Sequence, residues 1–75
     1  MFKLKNNVKP ETLGFEKKDI DYIRYANVDG IKKSCFVIYG GSPYIRHSKT
    51  SYISEEQLKI IYDWTKKDYI EWEDF

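Results

Sequence analysis

The side chains that could carry out nucleophilic catalysis are few. Cys35 and His47 are the sole cysteine and histidine of the 75-residue chain, and a thiol becomes a nucleophile when a neighbouring base such as imidazole takes its proton. One cysteine excludes an internal disulfide, and one cysteine with one histidine is too few for a Cys and His metal cluster. The sequence therefore predicts no metal site and no cofactor, and leaves this pair as the catalytic arrangement to test against the predicted fold.

Two other patterns have residue types found in enzyme sites but fit structural roles better. Glu55 and Glu56 are adjacent carboxylates, and acids in the first turn of a helix stabilise the helix dipole. The segment Gly40 to Ser42 is rich in glycine, but it lacks the spacing and the following lysine of a phosphate-binding loop. We interpret the first pattern as helix capping and the second as a turn.

A β-hairpin centred on Asp29-Gly30 positions the central part of the chain. This dipeptide lies between two β-prone segments, Asp21 to Val28 and Lys32 to Tyr39. A type I′ turn needs positive φ at both central residues, which glycine adopts freely and aspartate better than most residues. The turn then places Val28 opposite Ile31 and predicts every later pair of the hairpin.

A third strand and a C-terminal helix complete the predicted α+β fold. Turn-forming residues from Gly40 to Pro43 end the second strand, and residues 44–52 are expected to form the third strand of an antiparallel meander in order 1-2-3. Ser54 and Gln57 form a capping box that starts a helix over residues 55–67. The apolar stripe expected to pack on the sheet comprises Leu58, Ile61, Tyr62 and Thr65.

Both ends of the chain carry shorter signals. Pro10 and Gly14 mark the start and end of one helical turn, and the segment Glu16 to Asp19 is interpreted as a charged connection. Residues 68–75 fit a helical continuation or a short final strand, and we favour the extended form. Residues 1–75 are expected to form a single small domain with a limited core.

Alternation along the hairpin sorts the side chains into two faces. Because the predicted register puts Cys35 and His47 on opposite faces, they cannot share a proton, and we predict that the protein is not an enzyme. The predicted core face comprises Ile23, Tyr25, Phe36, Ile38, Ile45 and His47. The predicted solvent face comprises Tyr22, Arg24, Lys33, Cys35, Val37, Tyr39, Tyr44, Arg46 and Ser48.

The rings and cations of the predicted solvent face suggest a binding surface. Single-stranded nucleic acids stack bases on exposed rings while cations follow the phosphates, and tyrosine and arginine are also enriched at protein interfaces. Ordinary cross-strand aromatic pairs explain the same pattern. Trp72 belongs to an acidic, aromatic C-terminal end that either docks on a partner or caps the core. The candidate binding residues are Tyr22, Arg24, Tyr39, Tyr44, Arg46 and Trp72.

Composition bounds the environment of the protein. A formal net charge of +1 produces no overall attraction to nucleic acid or membrane, although residues 1–50 carry ten Lys or Arg against five acids and residues 51–75 carry three against seven. The longest apolar run, Cys35 to Tyr39, is far shorter than the ~20 residues that span a bilayer. The start of the chain does not resemble a signal peptide. We expect a soluble protein of the reducing cytoplasm with no membrane partner.

The order of Pro10 to Phe15, a tyrosine-rich hairpin and Leu58 to Trp64 resembles small uncharacterised proteins of phages and prophages from AT-rich Gram-positive bacteria. Such proteins often end in a helix, a glycine and a short strand, and Asp68 stands here in place of that glycine. The resemblance implies no functional residues. It implies an accessory protein that acts by stoichiometric binding to a host protein or to nucleic acid. We expect a protein partner, a host or defence component that binding inhibits. The alternative is a single-stranded nucleic-acid binder that uses the tyrosine and arginine face.

Overall fold

The computed structural model describes residues 1–48 and 55–74. In that part of the chain two antiparallel sheets and one α-helix form a small α+β fold, which confirms the predicted class. The elements are β1 (Phe2–Leu4), a 3-10 turn (Pro10–Leu13), β2 (Glu16–Lys18), β3 (Asp21–Val28), β4 (Ile31–Ile38), β5 (Arg46–His47), α1 (Glu55–Lys66) and β6 (Ile70–Trp72). One sheet has the order β2-β3-β4-β5, and the other pairs β1 with β6.

The predicted meander is matched in part. Strands β3, β4 and β5 are neighbours in that order, as expected. The segment interpreted as a charged connection forms β2 instead, because Glu16 to Lys18 pairs along β3 and adds an outer strand. Strand β5 has the predicted register with β4. The rest of the predicted third strand, residues 49–52, and the predicted cap Ser54 lie outside the described residues.

The hairpin turn has the predicted geometry. Asp29 and Gly30 adopt φ values of 53° and 78°, and Val28 lies opposite Ile31. Pairing in this register continues as far as Tyr25 and Ser34, after which β4 contains one extra residue. Such a β-bulge changes the side-chain alternation of one strand relative to its partner.

The bulge reverses the predicted faces in the first half of β3. Arg24 lies opposite Phe36, and Tyr22 lies opposite Ile38, so both share the core face of β4. Ile23, predicted in the core, pairs with Val37 on the opposite side. The prediction was wrong here because it assumed one uninterrupted ladder from the turn.

The bulge also explains the position of Cys35. Predicted on the solvent face, it is buried at 4% exposure, next to Phe36 at 1%. The extra residue lets two consecutive side chains point into the core, as a bulged strand allows. Tyr25, predicted in the core, instead lies with Ser34 on the outer face.

The segment between β4 and β5 joins the two sheets. The backbone N–H of Ile45 donates to the carbonyl of Phe2, and the N–H of Leu4 donates to the carbonyl of Pro43, both at 2.9 Å. The side chains that face the core from both sheets therefore form one continuous cluster. Its buried members are Leu4, Leu13, Phe15, Cys35, Phe36, Ile38, Ile45, Trp64 and Ile70.

Helix α1 covers nearly the predicted range, and of the predicted stripe Ile61 packs against the core while the other three residues do not. Gln57 and Trp64 are the buried residues of the helix. Leu58 and Tyr62, predicted to pack on the sheet, are 56% and 69% exposed, and Thr65 is exposed as well. The helix is rotated by about one residue from the prediction because the large Trp64 ring, rather than the Leu58 side chain, occupies the core.

Trp64 connects the helix to both ends of the core. Its ring stacks on Phe15 with centroids 5.6 Å apart and packs against Phe36 at 5.1 Å. Two bonds close the helix: Tyr69 N–H donates to the Trp64 carbonyl at 3.0 Å, and Asp68 N–H donates to the Thr65 carbonyl at 3.1 Å. This pattern is a Schellman motif, which needs a left-handed residue after the helix.

Asp68 supplies that left-handed residue, with φ of 64°. It thus takes the conformation usually given to glycine, which aspartate adopts more readily than most side chains. The chain then turns into β6, so the extended end favoured by the sequence is confirmed, with Ile70 opposite Leu4 and Trp72 opposite Phe2.

Candidate functional site

A groove of about 800 Å³ is lined by residues of α1, of both sheets and of the segment that joins β4 to β5. It exists because α1 turns Trp64 into the core and leaves the adjacent helix face, with Leu58 and Ile61, at the edge of the groove. The sheets contribute side chains from β1, β6 and the end of the meander. These are Phe2, Ile70, Trp72, Tyr39, Arg46 and His47.

Three large apolar side chains in the groove are about half exposed. Leu58 is 56%, Trp72 60% and Tyr39 49% exposed. Exposed apolar side chains that are grouped together mark interaction sites, whereas single ones carry no such meaning. The groove can therefore bury apolar groups of a ligand or partner.

The structure brings three of the six predicted binding residues to this groove. The guanidinium of Arg46 lies 5.9 Å from the centre of the Tyr39 ring, within cation–π range. The ring of Trp72 packs edge-on against Phe2 with centroids 5.0 Å apart. Its indole N–H donates to a carboxylate oxygen of Asp74 at 2.6 Å.

Tyr22 and Arg24 do not belong to the groove or to the solvent face. Tyr22 packs against the core cluster. The Nε–H of Arg24 donates to the carbonyl of Leu13 at 3.1 Å, and the same guanidinium donates to the carbonyl of Tyr25. Arg24 therefore satisfies one backbone carbonyl at the end of the 3-10 turn and one on β3, and it is not the free cation that the sequence predicted.

Tyr44 belongs to a polar cluster with Lys3, Glu71 and Glu73. Its hydroxyl donates to Glu73 at 3.1 Å, and the Lys3 ammonium lies 2.9 Å from Glu73 and 3.5 Å from Glu71. The hydrogen bond from Lys3 is the main cause of a lowered pKa at Glu73, and the hydrogen bond from Tyr44 lowers this pKa further. Burial and the bond to Glu73 raise the pKa of Tyr44. The Tyr44 hydroxyl is therefore hydrogen-bonded within the fold.

The predicted solvent face missed one aromatic and one cation. Tyr25 lies on the outer face, and the Lys32 ammonium is 4.4 Å from the centre of its ring. Lys32 also lies 3.3 Å from the carboxylate of Glu16. The sequence does not predict this pair because nothing in the residue types around Cys35 distinguishes a bulge from a regular strand.

The structure contradicts the predicted separation of Cys35 and His47, because the bulge turns Cys35 to the core face of β4, where His47 lies opposite Phe36. Burial is the main cause of a raised pKa at the Cys35 thiol. Reactive cysteines, by contrast, have a lowered pKa. Its sulfur lies 3.7 Å from the Lys33 carbonyl. His47 is exposed, and its ring lies 5.9 Å from the Phe36 ring. Among residues 1–48 and 55–74, no group of three or more His, Cys, Asp or Glu side chains is placed to hold a metal ion.

Within the same residues, no helix has the length and apolar character needed to cross a membrane. The chain matches no protein-family model, no curated protein and no solved structure.

Proposed function

We propose that this chain is a small interaction domain that binds a protein partner in a stoichiometric complex and catalyses no reaction. The observation that supports the proposal best is the groove, in which Leu58, Tyr39 and Trp72 remain about half exposed beside buried rings. A few anchor side chains, most often aromatic ones, that fill such a depression supply most of the binding energy of an interface. The groove is the binding surface in this proposal.

The partner class follows from the resemblance to small phage and prophage proteins. Such accessory proteins occupy a surface of a host or defence protein, and occupation alone inhibits it. We include this phage-type role, and the host cytoplasm as its location, in the proposal. A protein of this size suits it, because stoichiometric binding needs one surface and no catalytic centre.

Affinity capture with point variants tests the groove. The tagged wild-type protein, Leu58→Asp and Tyr62→Asp are exposed to lysate of a Gram-positive host, and the captured protein is then titrated calorimetrically. Leu58 lines the groove, whereas Tyr62 lies one turn further along the same helix, outside the lining, and is also exposed. We expect a one-to-one complex that is lost in Leu58→Asp and kept in Tyr62→Asp. Equal binding by the two variants would refute the groove as the binding surface.

A second candidate function, binding of single-stranded nucleic acid, is favoured by two ring and cation pairs. Lys32 lies over Tyr25, and Arg46 lies over Tyr39. Rings can stack on bases while the cations contact phosphates. The affinity for an oligonucleotide should then fall steeply with salt, and Tyr25→Ala should weaken it. A protein interface at the groove predicts neither effect.

A further inference from the structure

The charge of the groove is one-sided. Among the described residues that line it, Arg46 has the charged side chain, the Met1 ammonium and His47 are further basic groups, and no aspartate or glutamate is present. In the same part of the chain Arg46 has no ion-pair partner, whereas Lys3 and Lys5 each contact acids of their own. The groove thus presents a wide apolar surface with an arginine at which no carboxylate is bound.

The acids on either side of Trp72 do not change this balance. Glu71 and Glu73 are held by Lys3, and Glu73 also accepts the hydroxyl of Tyr44. Because β6 alternates, these carboxylates lie on the sheet face opposite to Ile70 and Trp72, which line the groove. They are therefore not positioned to neutralise Arg46.

These observations favour one occupant over others. We propose that the groove binds a segment of a partner protein in which large apolar side chains flank an aspartate or glutamate, and that Arg46 pairs with this carboxylate. The inference deepens the proposed function and rests on it, since it names the partner chemistry of the same groove. Arginine selects carboxylates by its planar, forked geometry, and a basic segment would meet a like charge at this position.

A second copy of the chain is a poor occupant. Its own acidic aromatic end, with Trp72 and Glu73, is already engaged, because Trp72 packs on Phe2 and Glu73 is bound by Lys3. Offering these side chains to another groove would break the pairing of β6 with β1. We therefore assign the carboxylate to a different protein.

Peptides of matched shape provide the probe. The first is acetyl-Leu-Phe-Asp-Leu-Leu-amide, and two relatives carry Asn or Lys in place of Asp. Both tryptophans of the chain, Trp64 and Trp72, line the groove, so their fluorescence reports its occupation, and amide chemical shifts locate the contact. The protein is used at full length as wild type, Arg46→Glu and Lys33→Glu, the last being a matched charge reversal at an exposed residue outside the groove.

We expect the wild type and Lys33→Glu to bind the Asp peptide roughly threefold more tightly than the Asn peptide, the size typical of an accessible ion pair. Arg46→Glu should reverse the order and prefer the Lys peptide. Equal binding of the three peptides, with shifts confined to the groove, overturns the charge selectivity and leaves the groove as a protein-binding surface. Shifts that avoid Leu58, Ile61 and Trp72, or no binding at all, overturn the present inference. Capture unaffected by Leu58→Asp refutes the proposed function separately.

Discussion

The side-chain amide of Gln57 donates a 2.8 Å hydrogen bond to the backbone carbonyl of Cys35. The same carbonyl accepts the N–H of Ser48 at 3.1 Å. A residue of the first helical turn is thereby bonded to the strand at its bulge, and the bond is buried, since Gln57 is 2% exposed. The sequence predicts a capping box of Gln57 with Ser54, which lies outside the described residues, and it does not predict this bond across the core to the sheet.

Replacement of Gln57 by leucine should cost about 1 to 3 kcal/mol in the free energy of unfolding, because a buried carbonyl loses one of its donors. Glu56→Ala is the matched control on the exposed side of the same turn and should change stability by less than about 0.5 kcal/mol. Urea denaturation followed by circular dichroism measures both values. An unchanged midpoint for Gln57→Leu would show that the bond does not join helix and sheet.

Phe36 and Tyr39 should differ in their contribution to stability. Phe36 is 1% exposed and contacts the Trp64 ring, so Phe36→Ala should cost about 3 to 5 kcal/mol. Tyr39 is about half exposed in the groove, and Tyr39→Ala should cost clearly less. Denaturation of the two variants under identical conditions gives the comparison. Equal losses would contradict the placement of Phe36 at the centre of the core.

Local signals predicted much of the fold because their physical causes are local. The turn at Asp29-Gly30 follows from two adjacent residues that tolerate positive φ, and the helical turn after Pro10 ends at Gly14 for the same kind of reason. The end of α1 could be predicted from sequence, but the stripe it buries could not. Which helix face is buried depends on whether the Leu58 or the Trp64 side chain packs in the core, and the residues around that position come from strands distant in sequence.

The candidate site was predicted only where the register was unaffected by the bulge. Tyr39 and Arg46 lie beyond Cys35 toward β5, where pairing follows the expected ladder, and both line the groove. Arg24 lies on β3, whose register with β4 is shifted by the bulge, and it faces the core opposite Phe36. Because a bulge is selected by the packing of two side chains on one face, no short sequence pattern announces it.

The left-handed conformation of Asp68 predicts opposite effects for two substitutions. Asp68→Gly removes the backbone strain of a φ of 64° and should leave stability unchanged or raise it by up to about 1 kcal/mol. Asp68→Val should be strongly destabilising, because a β-branched side chain rarely adopts this conformation. Asp68→Asn controls for the ion pair with Lys5, since it removes the charge and keeps the tolerance of positive φ. Thermal unfolding measures all three, and destabilisation by glycine would contradict the motif.

The cluster around Glu73 makes stability depend on pH in the acidic range. The hydrogen bond from Lys3, and to a smaller extent that from Tyr44, holds the folded-state pKa of Glu73 below its ordinary value of 4.5. A carboxyl whose pKa is lowered on folding contributes stability above its unfolded pKa and loses it as the pH falls through the folded pKa. The stability difference between wild type and Glu73→Gln should thus be constant at neutral pH and shrink below pH 4.5. Urea midpoints from pH 7 to pH 3 measure it, with Glu16→Gln as control.

Substitution of Arg24 should lower stability, whereas substitution of Arg46 should weaken binding. Arg24 donates to the Leu13 carbonyl from a partly buried position, so Arg24→Gln should cost about 1.5 to 3 kcal/mol, the range for hydrogen bonds from charged groups. Arg46 contacts the Tyr39 ring at an exposed site, and Arg46→Gln should cost less than about 1 kcal/mol. Binding of the Asp peptide should respond in the reverse order, being weakened by Arg46→Gln and unchanged by Arg24→Gln at a temperature where both are folded. Weaker binding in Arg24→Gln alone would return the binding surface to the sheet face that includes Arg24.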